Sequence, residues 1–198
     1  MTQGPGEVRL IGGRYKRRKL PVPDRPGLRP TPDRVRETLF NWLGQDLTGW
    51  RVLDAFAGSG ALGFEAASRG AAEVVMLERD AAIVRSLEAT RVRLGATMVH
   101  VACADAMTWM ARHAKAAAGG EGREDAGRFD LVLLDPPFDA GLGDEALALA
   151  VLLLAPEGVI YLEAGAPLAA APPGLEVRRT LRAGAVHAHL LQRTGSSG

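Results

Sequence analysis

The sequence is poor in cysteine, in aromatic residues and in long apolar runs. Cys103 is the only cysteine among 198 residues, so no internal disulfide can form and a reducing compartment is expected. It lies in an apolar stretch, which predicts a buried strand residue rather than a reactive thiol. No apolar stretch approaches the roughly 20 residues that span a bilayer, and the first six residues lack a signal-peptide core. These features favour a cytoplasmic protein without a membrane partner.

The sequence also lacks a recognisable metal site. The spacing between its histidines, Cys103 and the carboxylates is not that of metal ligands; the four histidines are His100, His113, His187 and His189. We therefore expect no metal, and we expect a monomer because nothing in the sequence demands more.

Positive charge is concentrated near the N-terminus. The first 36 residues hold ten Lys or Arg against three Asp or Glu, although the formal net charge of the chain is only +1. Such a run is often only a solvated surface. Tyr15 lies among these cations, however, and an aromatic ring can stack on a base while cations hold phosphates. We therefore predict a nucleic-acid contact made by Arg14, Lys16, Arg17, Arg18, Lys19 and Arg29.

Strand and helix patterns alternate along most of the chain. Gly12 and Gly13 separate two short strand-like segments, four prolines then force an extended link, and a helix capped by Thr31 follows as far as Gly44. Strands are predicted at 51–55, 73–78, 98–103, 129–134 and 158–163, helices at 60–69, 80–94, 105–117 and 144–154, and a closing hairpin at 175–182 and 185–192. This alternation predicts an α/β fold with a mostly parallel, doubly wound sheet and an antiparallel edge.

The same patterns predict how the chain is divided. Residues 1–30 would form a basic hairpin with its extended link, residues 31–193 the main domain, and residues 194–198 a disordered tail.

A glycine-rich turn joins the first main strand to its helix. The strand ends in Asp54, and Gly58, Gly60 and Gly63 follow with GxGxxG spacing. Glycines let the backbone approach a ligand, and the helix points its free amides and the positive end of its dipole at the turn. The pattern predicts a cofactor cradle, but dinucleotide and adenosylmethionine binders share it.

Carboxylates also follow the next two strands. Glu78 comes about twenty residues after Gly58, where a carboxylate can accept both hydroxyls of a ribose. Asp105 begins a helix and could accept from an adenine amino group, act only as a helix cap, or do both. In a parallel sheet such strand ends meet at one edge, where ligands bind.

The tetrapeptide Asp135-Pro136-Pro137-Phe138 follows the fourth strand of this series. Its two prolines have no amide donors, so the turn presents mainly acceptors. The Asp135 carboxylate and the Pro136 carbonyl could hold both protons of an exocyclic amine while Phe138 stacks on the base. Because the lone pair of such an amine is delocalised into the ring, holding its N–H bonds directs the developing lone pair at an electrophile. The turn therefore indicates amine chemistry on a flat base.

Several segments together resemble the RsmD-type 16S rRNA guanine-N2 methyltransferases. The glycine turn from Asp54 to Gly63, the helix segment from Glu65 to Ala71 and the tetrapeptide from Asp135 to Phe138 carry this resemblance. It extends, more weakly at the C-terminus, to Ile11–Gly13, Arg18–Leu20, Arg29–Asn41 and Gly184–Arg193. Arg17 departs from the pattern, since members usually have glycine there.

The resemblance implies a Rossmann-like, seven-stranded methyltransferase fold with S-adenosylmethionine as donor and 16S rRNA or the 30S subunit as substrate. Asp54, Gly58 and Gly60 would hold the methionine portion, Glu78 the ribose and Asp105 the adenine. The predicted cofactor site also includes Phe56, Ser59, Arg79 and Ala106. The guanine would be held by Asp135, Pro136 and Phe138, with Pro137 completing the catalytic turn.

Three other functions are compatible with parts of the sequence. A DNA adenine-N6 methyltransferase uses similar amine chemistry, but no separate target-recognition domain is apparent. A nicotinamide-dependent oxidoreductase would share the glycine turn but would leave the Asp-Pro-Pro-Phe turn unexplained. A non-catalytic RNA-binding protein would leave Asp135 and Glu78 without a role.

Overall fold

The computed structural model describes residues 6–25, 28, 31–118, 128–137 and 141–194, with backbone only at 117 and 118. Three sequence predictions lie outside these residues: the RNA contact by Arg29, base stacking by Phe138 and disorder of the tail beyond Thr194. The chain consists of two compact units, residues 1–104 and 105–198, which are described in turn. The predicted domain boundaries remain predictions.

The first unit begins with a small antiparallel hairpin of β1 (Glu7–Arg9) and β2 (Lys19–Pro21). After helix α1 (Asp33–Trp42), strands and helices alternate: β3 (Arg51–Asp54), α2 (Ala61–Ser68), β4 (Glu73–Glu78), α3 (Ala81–Leu94) and β5 (Val99–Cys103). The three main strands are parallel, in the order β5-β4-β3. All three therefore end in the same direction, with Asp54 and Glu78 closing the two neighbouring strands β3 and β4.

Helix α3 shows how local sequence sets its limits. The Asp80 side chain accepts the amide hydrogens of Ala82 and Ile83 at 2.7 and 3.4 Å, which satisfies two donors of the first turn. The helix ends at Gly95, whose φ of 64° is left-handed and favours glycine. The Asp80 cap therefore fixes the start of the helix at Ala81, shortly after Glu78 ends β4.

The described residues of the second unit form two helices and four strands. In chain order they are α4 (Ala106–Ala118), β6 (Phe129–Leu134), α5 (Gly143–Leu153), β7 (Leu154–Ala164), β8 (Leu175–Ala183) and β9 (Val186–Arg193). The strand order is β6-β7-β9-β8, with β6 and β7 parallel and the other two pairs antiparallel. Strand β6 is almost entirely buried, as its nearly continuous apolar sequence predicts.

The seven main strands belong to one mostly parallel sheet, so the predicted α/β class, the antiparallel edge and the separate N-terminal hairpin are confirmed. Two local predictions are wrong. Cys103 is exposed, because it is the last residue of β5, which lies at the edge of the sheet. Helix α1 begins after Pro32 without a side-chain cap, so Thr31 is not its N-cap. In the described part of the chain, no helix is long and apolar enough to cross a membrane.

Candidate active site

Asp54 organises the glycine turn from inside. Its side chain is only 2% exposed, and its Oδ2 accepts the Gly63 amide hydrogen at 3.0 Å. A Cβ on Gly63 would lie 2.9 Å from this oxygen and 2.4 Å from Met76 Cε. Glycine at this position therefore allows helix α2 to lie close to β3 and β4. The carboxylate therefore shapes the turn between β3 and α2.

Gly58 and Gly60 have the left-handed backbone that the turn requires. Their φ angles are 50° and 76°, and Gly60 directly precedes α2. Ser59 between them is buried and Phe56 is half-buried. Gly60 has no side chain that could cap α2, and Asp54 instead accepts the amide hydrogen of Gly63 in the first turn of the helix. This arrangement suits a polar or anionic ligand group.

Glu78 connects the turn to the end of β4. Its Oε2 accepts the Gly58 amide hydrogen at 3.1 Å and its Oε1 that of Asp80 at 2.8 Å. The side chain is half-buried, and each oxygen keeps acceptor capacity for a hydroxyl. Arg79 is exposed, and its carbonyl accepts from Cys103 Sγ at 3.9 Å.

Leu28 is a contact that the sequence did not reveal. Its Cδ1 lies 2.9 Å from the position that a Cβ would occupy on Gly58. Leu28, which follows the hairpin in the chain, therefore lies against the glycine turn. Arg25 in the same link lies 3.4 Å from a carboxylate oxygen of Asp80.

Asp105 and Ala106 begin the second unit. The Asp105 carboxylate accepts the Thr108 amide hydrogen at 2.9 Å, so the capping role considered from the sequence is present. Its side chain is exposed, whereas Ala106 is buried. This bond fixes the orientation of the exposed carboxylate.

The Asp-Pro-Pro turn leaves β6 as predicted. Asp135 is half-buried, Pro136 is buried and Pro137 is exposed. Leu134 pairs with Leu162 across β6 and β7, so Asp135 lies one step beyond that pair, beside Glu163.

A buried tyrosine and glutamate stand next to this turn. Tyr161 and Glu163 are 0% and 2% exposed, and the tyrosine hydroxyl donates to Glu163 Oε1 at 2.9 Å. Burial raises the pKa of Tyr161 far above its usual range, and the negative charges of Glu163 and Asp135 raise it further. Tyr161 therefore remains a hydrogen-bond donor between two acidic side chains.

The predicted RNA contacts are on the surface of the first unit. Five cations of the hairpin are exposed: Arg14, Lys16, Arg17, Arg18 and Lys19. Lys19 also pairs with Glu7 at 2.7 Å. The interpretation of Tyr15 as a base-stacking residue is wrong for this conformation, because its ring is 5% exposed and packs into the unit.

Within the first unit, the structure brings Asp54, Gly58, Gly60 and Glu78 into one hydrogen-bonded turn. Separately, in the second unit, it places Tyr161 and Glu163 next to the Asp-Pro-Pro turn that follows β6. No group of three or more His, Cys, Asp or Glu that could hold a metal occurs among the residues described. The sequence did not indicate Leu28, Tyr161 or Glu163 as site residues. Leu28 lies near the glycine turn, and Tyr161 and Glu163 lie near the Asp-Pro-Pro turn, only because of the fold.

Comparison with known proteins identifies the family. The profile described as "Conserved hypothetical protein 95" matches residues 8–192. "Ribosomal RNA small subunit methyltransferase D" of Escherichia coli (strain K12) is 41% identical over 194 residues, which cover 96% of this chain and 92% of the relative. The protein of the same name from Haemophilus influenzae is 39% identical over 162 residues, covering 80% and 79%.

A solved structure agrees with this assignment. The "Putative methyltransferase yhhF from Escherichia coli" has a TM-score of 0.80 and 40% identity, covering 95% of this chain and 98% of that one. The resemblance inferred from the sequence motifs is thereby confirmed, and the chain belongs to the ribosomal RNA small subunit methyltransferase D family.

Proposed function

We propose that this protein transfers a methyl group from S-adenosylmethionine to the exocyclic N2 amine of a guanine in 16S rRNA. As a member of its family the chain is an rRNA methyltransferase. The observation that supports an amine as the methyl acceptor is the Asp135-Pro136-Pro137 turn, which directly follows β6 and whose prolines have no amide donors.

The glycine turn fits the donor. Positive φ at Gly58 and Gly60 and the close contact with Leu28 leave no room for side chains there, so the backbone itself lines the site. We assign the methionine portion to this turn, including Asp54, Phe56 and Ser59. The bound donor supplies an electrophilic sulfonium methyl group.

Acceptors at the strand ends fit the rest of the donor. Glu78 is suited to the ribose hydroxyls, with Arg79 beside it, because its two oxygens are already oriented by backbone amides. Asp105 is suited to the adenine amino group, with Ala106 beside it. Each of these carboxylates has a structural hydrogen bond as well, which fixes its orientation before the ligand binds.

The turn from Asp135 to Phe138 would hold the target base. The Asp135 carboxylate and the Pro136 carbonyl accept the two N2 protons, and Phe138 stacks on the guanine ring. Holding both N–H bonds directs the developing N2 lone pair at an electrophile, and alignment of amine, methyl and sulfur would supply most of the acceleration. The bond from N2 to the methyl carbon forms as the carbon–sulfur bond breaks. The amine proton then passes to Asp135 or to water.

The exposed hairpin cations would hold rRNA phosphates rather than read bases. Swinging the guanine out of its stack costs a few kcal/mol, roughly, and is least costly in an RNA loop. Stacking on Phe138 returns about 1–3 kcal/mol. We further propose that the enzyme acts in the cytoplasm, as a monomer, on 16S rRNA or on the 30S subunit.

The assignment of Asp135 can be tested with a matched pair of substitutions. Asp135→Ala should abolish methyl transfer to 16S rRNA while leaving the affinity for S-adenosylmethionine unchanged by calorimetry. Asp144→Ala removes an exposed carboxylate from α5 and should leave both quantities unchanged. Full turnover by the Asp135 variant would contradict the proposed role. Parallel reactions with naked 16S rRNA, 30S particles and DNA separate the proposed substrate from that of a DNA adenine-N6 methyltransferase.

A further inference from the structure

A fully buried carboxylate lies in the middle of α2, outside both halves of the proposed active site. Glu65 is 0% exposed. Its Oε2 accepts the Ile11 amide hydrogen and its Oε1 the Gly12 amide hydrogen, each at 2.8 Å. Both amides belong to the basic hairpin, more than fifty residues away in sequence. One side chain of α2 therefore binds the backbone of the hairpin directly.

Two buried guanidinium groups share the same carboxylate. Arg69 Nη2 and Nε lie 2.9 and 3.0 Å from Glu65 Oε1, and Arg36 Nη1 lies 3.6 Å from Oε2. Arg36 also donates to the Arg9 carbonyl at 2.9 Å, which connects α1 to strand β1. Such a buried ionic group is stable only while its partners remain in place. The negative charge of Glu65 is therefore required to hold these groups together.

Ser68, one turn further along α2, makes a second attachment. Its hydroxyl accepts the Tyr15 amide hydrogen at 2.8 Å and donates to the Gly12 carbonyl at 2.5 Å. Its own carbonyl accepts the Arg14 amide hydrogen at 2.6 Å. Gly13 lies so close that a Cβ there would be 1.8 Å from this carbonyl oxygen. The hairpin is thus held to the C-terminal half of the helix by its backbone, which leaves its cationic side chains in solvent.

The N-terminal end of the same helix is the glycine turn. Helix α2 has eight residues and spans about 12 Å, so the hairpin attachment and the cofactor turn sit on one short rigid rod. Any displacement of the hairpin on α2 would move the phosphate-binding cations relative to the methyl donor.

We propose that Glu65 is a positioning residue for RNA binding. It fixes the basic hairpin on α2, so that the cations of the hairpin bind the rRNA at a set distance from the glycine turn. This inference rests on the proposed role of the hairpin as an RNA contact. Glu65 acts through the Ile11 and Gly12 amides and does not touch the RNA itself.

The test is a double-mutant cycle on RNA affinity. Glu65→Gln keeps the side-chain volume but removes the charge and one acceptor atom. It should weaken binding of a 16S rRNA fragment, followed by fluorescence anisotropy, by about tenfold. Affinity for S-adenosylmethionine should not change. Glu88→Gln is the matched control, because Glu88 pairs only with Arg91 on the surface of α3 among the contacts described, and its RNA affinity should equal that of the wild type.

The second arm of the cycle combines Lys16→Ala and Arg18→Ala. If Glu65 acts through the hairpin, adding Glu65→Gln to this variant should cause little further loss of RNA affinity. Fully additive losses, or a Glu65→Gln protein that binds RNA as tightly as the Glu88→Gln control, would overturn the proposal. A merely structural role would lower the melting temperature without changing the affinity of the folded protein.

Ser68→Ala keeps the proposal testable if the Glu65 variant does not fold. It removes the hydroxyl contacts to Tyr15 and Gly12 without leaving a buried charge unpaired, and should weaken RNA binding in the same direction by a smaller factor. Unchanged RNA affinity in Ser68→Ala would then count against the proposal. Because these readouts are affinities, they are independent of whether guanine N2 is the methylated atom. An unchanged RNA affinity in the Lys16→Ala, Arg18→Ala variant would instead refute the role of the hairpin itself.

Discussion

Replacing Gly60 by alanine should lower the free energy of unfolding by more than the cost of a positive φ, because the new Cβ would also clash with side chains of the core. Its φ of 76° costs a residue with a Cβ about 1–2 kcal/mol. The new Cβ would also lie 2.7 Å from Leu87 Cδ2 and from Phe64 Cδ2. These side chains are 2% and 0% exposed, so relief requires movement of the core, for which overpacking typically costs about 1–3 kcal/mol. The free energy of unfolding should therefore fall by about 2–5 kcal/mol.

Gly44 provides the control that separates the two contributions. Its φ of 86° is also left-handed, but apart from Gly44 itself and its two chain neighbours no atom of the described residues lies within 4 Å of the position of its Cβ. Gly44→Ala should therefore cost only about 1–2 kcal/mol. Urea unfolding followed by circular dichroism measures both variants, and calorimetry should show weaker S-adenosylmethionine binding for Gly60→Ala alone. Equal losses of stability in the two variants would refute the argument from packing.

Three further predictions concern stability. Arg17→Asn should raise the free energy of unfolding by about 0.5–1 kcal/mol in urea titrations, because Arg17 has a φ of 69° and asparagine tolerates that region better; a decrease would contradict this. Tyr161→Phe should lower it by about 1–3 kcal/mol, since buried Glu163 loses a hydrogen-bond donor; an unchanged urea midpoint would contradict the importance of that bond. Burial, aided by His187, holds the pKa of His189 below its usual 6.5, so the unfolded chain takes up a proton first as the pH falls. Stability should therefore decrease below about pH 6.5, and His189→Gln should flatten this part of the profile of unfolding free energy against pH; an equally steep profile would exclude His189 as its source.

The glycine turn could be predicted because its determinants are local. A strand ending in Asp54 and glycines at positive-φ positions are encoded within ten residues. Strand β6 was predicted with its observed limits for the same reason, since its run is apolar except for Asp130 and is bounded by polar residues. The Asp135 turn follows from that strand directly.

The contacts of Glu65 could not be predicted, because its partners Ile11 and Gly12 come from a distant part of the chain. The apolar residues on all sides of Glu65 in α2 were a signal that this helix is buried all round. Tyr15 was misjudged because neighbouring cations do not reveal which way a ring packs. Cys103 was misjudged because the order of strands in a sheet, which places β5 at the edge, is not written in their sequences.

The identity of the methylated atom is the most direct test of the proposed methyl transfer to guanine N2. 16S rRNA treated with the protein and S-adenosylmethionine carrying an isotopically labelled methyl group can be digested to nucleosides and analysed by mass spectrometry. We predict that the label appears in N2-methylguanosine, and that it is lost with Asp135→Ala. Label in a methylated adenosine, or at any other atom of guanosine, would contradict the proposed site.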